Sequence, residues 1–180
     1  MKALVIIDMQ MDMQHRIEAG LDCVNPETPG RITALANRFR AKGLPVLHVR
    51  HREDVPGSPM HPNATGFVPM ACDEAAPGEP VFVKTTSSAF ASTDLAAHLS
   101  DEGIKDLIVT GAVAGFCVNS TVRSGADLGF RMAVVRDAVL GFGMPHAKLS
   151  AQVIFDVTMA HLEMDFARMT DTAGVLAALD

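Results

Sequence analysis

Thr110-Gly111-Ala112-Val113-Ala114-Gly115-Phe116-Cys117-Val118-Asn119-Ser120-Thr121 follows an apolar run, Leu107-Ile108-Val109, and opens a segment of helical periodicity. The run reads as a buried strand, so the stretch is a strand-to-helix junction with a cysteine in it. Unpaired backbone N–H groups and the helix dipole at such a junction favour negative charge. Those forces lower a thiol's pKa and raise its thiolate fraction. Gly111 and Gly115 permit a tight backbone path before it. A lone cysteine among apolar residues is more often a small buried hydrophobe, and this stretch alone favours that reading over a nucleophile.

The same strand–loop–helix unit recurs on both sides. Ala3 to Ile7 is a continuous apolar run, as expected of a strand buried on both faces, and it ends at Asp8. After turn-rich Asn25 to Gly30, Ile32, Leu35, Ala36 and Phe39 mark a helix from Arg31 that closes at Lys42-Gly43. Pro45 to Arg50 reads as a second strand, and residues 51 to 80 as a long loop over the site. Pro80 to Val83 is a short third strand ending in Lys84. Ser92-Thr93-Asp94 caps a helix with Leu95, Ala96 and Leu99 on one face, stopped near Gly103. Asp106 to Thr110 is the fourth strand, and the helix bearing Cys117 runs to about Gly129.

Met132 to Val135 is the fifth strand, ending near Asp137. Pro145 starts a helix with Leu149, Val153, Val157 and Ala160 at helical spacing. Phe166 to Met169 is a sixth strand, and Thr170-Asp171 caps a final helix. This alternation predicts one α/β domain over residues 1–180, a parallel sheet with helices on both faces and right-handed crossovers.

Composition narrows the function classes. The 180 residues carry a net charge of −6, with Lys and Arg scattered, which argues against nucleic acid as a partner. No apolar stretch is long enough to span a bilayer. Three cysteines without paired spacing give no disulfide framework, so a reducing, cytoplasmic setting is expected.

Asp8, Lys84 and the Cys117 loop each follow a predicted strand, at the edge where the C-terminal ends of a parallel sheet gather. A nucleophile, its base and a cation need that convergence. Cys117 would attack a carbonyl carbon, Asp8 would accept the thiol proton, and Lys84 would hold both anions. The alternative is an Asp–Lys ion pair above a buried cysteine.

At these residues the sequence resembles the isochorismatase-like cysteine hydrolases. The resemblance rests on Val5-Ile6-Ile7-Asp8-Met9-Gln10, on Val83-Lys84 with Ser88-Ala89-Phe90, and on Gly111 to Cys117 with Val118, Thr121, Arg123 and Gly129-Phe130. Val134 to Ala138 resembles the family's fifth strand. It implies a Rossmann-like three-layer α/β/α sandwich with a six-stranded parallel sheet, assembled as a homo-oligomer. It also implies an Asp8–Lys84–Cys117 triad that hydrolyses the C–N bond of a small amide through a thioester, without a cofactor. The backbone N–H groups of Val113 and Cys117 would form the oxyanion hole, behind a cis Ala112–Val113 bond.

The Asp-x-His metal motif of the family's nicotinamidases is missing from His48-Val49-Arg50-His51-Arg52-Glu53-Asp54, so no metal is expected, although His51 and His61 could meet in space. Met11-Asp12-Met13 replaces the usual Asn-Asp-Phe. Gln10, Met13, Phe90, Phe116 and Met144, with Phe142, are candidates for an apolar substrate mouth or for plain core packing. Asn119, Arg123 and Asp137 are as easily structural as functional. Two other readings stand beside the hydrolase. A receiver-like phosphoacceptor domain also places Asp, Thr and Lys at strand ends, here Asp8, Thr110 and Lys84. A binding or scaffold protein would use the same fold with a silent triad.

Overall fold

The computed structural model describes residues 1–180. Six parallel strands form the central sheet: β1 (Lys2–Ile7), β3 (Val46–His51), β4 (Val81–Lys84), β5 (Asp106–Gly111), β6 (Arg131–Val139) and β8 (Ala167–Thr170), in the order β4-β3-β1-β5-β6-β8. Alternation along β1 divides the core in two. Ala3, Val5 and Ile7 face one layer of helices, and Leu4 and Ile6 face the other.

The first layer is α3 (Leu95–Asp101), α4 (Asn119–Asp127) and α5 (Ala151–Asp165), through Leu95, Leu99, Val122, Phe155, Met159 and Leu162. The second is α1 (Met11–Glu18), α2 (Thr28–Ala41) and α6 (Thr172–Ala177), through Met13, Ile32, Leu35, Ala36, Phe39 and Val175. This is the three-layer α/β/α sandwich expected. The chain winds outward from β1 through β3 to β4, then crosses back to β5 on the other side of β1. The strand order therefore reverses between β1 and β5, which is where open α/β sheets bind ligands.

Several elements differ from the sequence reading. Residues 11–18 form α1, which period alone does not reveal because Gln14, His15, Arg16 and Glu18 leave it a short apolar face. Two short strands, β2 (Cys23–Val24) and β7 (Gly141–Phe142), pair antiparallel outside the main sheet. Helix α2 begins at Thr28 with Pro29 in its first turn, ahead of Arg31. Pro145 opens only a single 3-10 turn, closed by Lys148 in the left-handed region, φ 56°.

The true start of α5 is Ser150, whose hydroxyl accepts from the Val153 N–H. The buried face is Ala151, Phe155, Met159 and Leu162, whereas Leu149, Val153 and Val157 are exposed. The apolar row read from sequence is thus the outer one. The 51–80 connection is fastened down. Met11 and Met70 donate to Val68 and Met9, and Asp73 and Glu79 bracket buried His48 at 2.6 and 2.9 Å.

Candidate active site

Three local features aim the site. Asp8 leaves β1 with φ 51°, a left-handed turn that Asp tolerates better than most residues, while its N–H still pairs with Val49 of β3 at 2.8 Å. Gly111 ends β5 at φ 116°, where a Cβ would lie 2.0 Å from the Ile7 carbonyl oxygen. Only glycine allows so close an approach of β5 to the end of β1. The chain then passes through a cis Ala112–Val113 bond into one π-turn, Ala114–Val118, which runs on into α4. Cys117 therefore lies inside a π-turn and not at the first turn of an α-helix, the position the sequence implied.

The side chains meet at the reversal point. Lys84 is fully buried, and its ammonium donates to Asp8 Oδ2 at 2.8 Å and to Cys117 Sγ at 3.2 Å. A third neighbour, which the sequence left unplaced, is His51 at the end of β3, with Nδ1 3.0 Å from the same ammonium nitrogen. Carboxylate, imidazole and thiol atoms lie within 4.8 Å of one another. Asp, His and Cys are a metal-capable set, yet the ammonium of Lys84 sits among them as the chain's own cation. His61 lies elsewhere, accepting from the Asn63 N–H.

The electrostatics correct one expectation. Burial, with the Asp8 charge adding to it, pushes the Cys117 thiol up to about 12 against the pull of Lys84. Burial likewise raises Asp8, with Lys84 opposing. Two adjacent buried acids beside one ammonium share a proton, because a second anion would be uncompensated. Both shifts favour the protonated form, for Cys117 the thiol, so junction geometry does not by itself make a standing thiolate. Asp8 Oδ1 is buried with no hydrogen-bond partner, so one acceptor of the pair is unengaged.

The other candidates separate. Gln10 is fully buried, donating to the His51 and Phe67 carbonyls at 3.0 and 2.9 Å and accepting from the His51 N–H at 2.7 Å. Its amide is saturated by backbone, so it is a brace and not a substrate contact. Met13 and Phe142 are core residues, and Phe90 stacks on Phe130 with centroids 5.5 Å apart. Met144 bridges to Leu149 ahead of α5. Only Phe116 keeps the predicted character, half exposed beside Cys117.

Asn119 and Arg123 bond each other, and Arg123 lies over Phe166 at 4.3 Å. Asp137 accepts from Thr172 and so ties down the start of α6. Thr110 is buried and donates to the Val5 carbonyl, which removes the hydroxyl a receiver-like domain would require. Clefts of about 600 Å³ beside Arg136 and Asp171, and about 540 Å³ beside Arg40 and Glu79, lie away from Asp8, Lys84 and Cys117. No helix is long and apolar enough to cross a membrane.

Comparison with known proteins agrees with this architecture. The isochorismatase domain model matches residues 2–171. The secreted isochorismatase effector Isc1 of Verticillium dahliae is 35% identical over 96% of this chain and 88% of its own. N-carbamoylsarcosine amidase of an Arthrobacter species is 34% identical over 62% of this chain and 51% of its own. An isochorismatase-family protein from Chromobacterium violaceum superposes with a TM-score of 0.92 at 31% identity, covering 99% of this chain and 93% of that one. A six-stranded parallel sheet between two helical layers, with a sequence that matches the family from Lys2 to Asp171, makes this chain a member of the isochorismatase family of hydrolases.

Proposed function

We propose that the protein is a cysteine amidohydrolase that cleaves the C–N bond of a small amide through a thioester. One observation carries the reading: a single buried ammonium touches both Asp8 and Cys117, while Asp8 Oδ1 has no partner. A carboxylate with one oxygen held and one free is poised to accept the thiol proton. The N-carbamoylsarcosine amidase among its relatives, whose name describes amide cleavage, supports the class.

In the proposed sequence, the Cys117 S–H proton passes to Asp8 as sulfur attacks the amide carbon. The C–S bond forms, and the carbonyl π electrons move onto oxygen. Lys84 holds the charge balance, since the negative charge leaving Asp8 reappears on the substrate oxygen. Phe116 and Val118 N–H groups both bond the Val113 carbonyl, at 3.0 and 3.3 Å, whereas the Val113 N–H has no intramolecular acceptor. That N–H, with the Cys117 N–H, would receive the oxyanion, and such a donor is worth about 2.7–4 kcal/mol in enzymes studied by mutation. Asp8 returns its proton to the leaving amine as the C–N bond breaks, then takes one from the water that opens the thioester.

The substrate is a small neutral amide entering past half-exposed Phe116. Self-association is part of the proposal: Val153, Val157 and Met164 form an exposed apolar row along α5, with Leu149 exposed just ahead of it. The test is a screen of small amides for ammonia or amine release, run with Cys117→Ala alongside. Release by the wild type that the variant loses supports the reading, and equal release by both refutes it.

A further inference from the structure

Lys84 reaches its partners across another strand. It lies on β4, whereas Asp8 follows β1, and β3 runs between them. Its register partner on β3 is His51, so the lysine side chain passes the imidazole on its way to Asp8. An ammonium has three N–H bonds, and three atoms face this one: Asp8 Oδ2 at 2.8 Å, His51 Nδ1 at 3.0 Å and Cys117 Sγ at 3.2 Å. Lysine cannot accept a hydrogen bond, so the imidazole nitrogen turned towards it must be the unprotonated one. The ring proton then lies on Nε2, which faces the Glu53 carboxylate at 3.3 Å.

The ring's base is fixed as well. Gln10 bonds both the N–H and the carbonyl of His51. The charged or titratable groups facing the ring are Lys84, Asp8, Cys117 and Glu53.

We infer that His51 is a positioning residue of this site, a neutral Nε2-protonated imidazole that takes one N–H of Lys84 and holds the ammonium between Asp8 and Cys117. Without it, one ammonium proton is buried with no acceptor, and the lysine turns towards Asp8 Oδ1 or out of the site. Either movement weakens support for a negative charge on sulfur. The consequence for turnover rests on the hydrolase reading above, but the contact itself is testable without substrate.

Two measurements decide it. Long-range ¹H–¹⁵N correlation on the labelled wild type reads the tautomer directly. A proton on Nε2 at neutral pH supports the inference, and a proton on Nδ1 overturns it. Alkylation of Cys117 by iodoacetamide, followed on its own peptide by mass spectrometry, reads the effect on sulfur. His51→Leu should slow that alkylation roughly 10–100-fold, the range for losing one charge-assisted hydrogen bond, and move its pH profile upward.

His51→Asn, whose side-chain carbonyl can stand in for Nδ1, should recover most of the rate. Wild-type reactivity in His51→Leu, or no recovery in His51→Asn, overturns the inference. Both readouts stand whether or not the wild type releases ammonia from an amide. Failure of the hydrolase reading is thereby distinguished from failure of this one.

Discussion

Removing the buried ion pair one partner at a time and then whole should separate its structural cost from its chemical role. Lys84 is fully buried and bonds Asp8 Oδ2 at 2.8 Å, and the second carboxylate oxygen has no partner. Lys84→Met keeps the length of the side chain and leaves Asp8 buried without its cation, beside Cys117 and His51. Asp8→Asn leaves the ammonium without its anion. Breaking a buried pair from either side costs about 3–5 kcal/mol, whereas replacing both partners with neutral groups is often close to neutral.

The double variant should therefore lie within about 1–2 kcal/mol of wild type in urea unfolding at pH 7, with a coupling energy that approaches the sum of the two single losses. All three variants should lack amide hydrolysis. A pH series supplies a second check. Burial raises Asp8 above its unfolded value, so the folded state binds the extra proton and stability falls as pH rises through that interval. Without Lys84 the rise is larger, so Lys84→Met should regain stability relative to wild type as pH drops from 7 towards 4. Additive losses in the cycle, or a Lys84→Met deficit independent of pH, would refute the buried pair as described.

Other consequences follow from single contacts. Cys117→Ala should leave unfolding unchanged within about 1 kcal/mol, because it removes one sulfur atom from a partly exposed site, while amide hydrolysis disappears. Gly111→Ala should cost upwards of about 2 kcal/mol by thermal unfolding, since its Cβ would collide with the Ile7 carbonyl at a backbone angle L-residues rarely adopt. Burial works against ionised Glu79, but hydrogen bonds from Arg40, the Ala76 N–H and His48 outweigh it and hold the acid at about 2. Its stabilising effect is full above the unfolded carboxylate range and is lost as pH falls towards 2, so Glu79→Gln should flatten that part of the acid unfolding curve. Val157→Asp, in the exposed apolar row of α5, should yield a monomer by light scattering, and a wild type that is already monomeric would remove self-association from the proposal.

The fold was legible wherever burial on both faces of the sheet left an apolar run. Ala3 to Ile7 and Leu107 to Val109 carry strands that no amphipathic pattern could confuse. Helix α5 shows the limit of periodicity. Val153 and Val157 repeat as regularly as Phe155, Met159 and Leu162, so the sequence holds two apolar faces and spacing alone does not say which one meets the sheet. The start is likewise set by a local contact, since Ser150 caps the helix five residues after the proline that seemed to start it. Gln10 misled for a related reason. A polar residue after a strand reads as a binding group, but here the backbone of β3 and of the 51–80 connection uses up its donors and acceptors.

The Asp8–Lys84–Cys117 cluster was legible for a topological reason, and His51 was missed for the same one. Asp8, Lys84 and the Cys117 loop could be placed at strand ends from sequence, since Asp8 and Lys84 follow apolar runs directly and the loop opens at the end of Leu107 to Val109. Which strand lies next to which is a property of the assembled sheet. Once β3 is known to separate β4 from β1, a lysine on β4 can reach an aspartate on β1 only over the last residue of β3, and that residue is His51. The sequence does carry the signal, a histidine directly after the second predicted strand, but in a loop that position suggests a metal or substrate contact and not a partner for Lys84. The charge state of Cys117 needed the same knowledge. Helix-end electrostatics favour a thiolate in isolation, but the carboxylate placed beside it by β1 and the burial imposed by the sheet reverse that preference. Under the proposed hydrolysis, a protonated thiol next to a carboxylate with one free oxygen would carry its own activation step, because Oδ1 is open to the proton only while Lys84 stays on Oδ2.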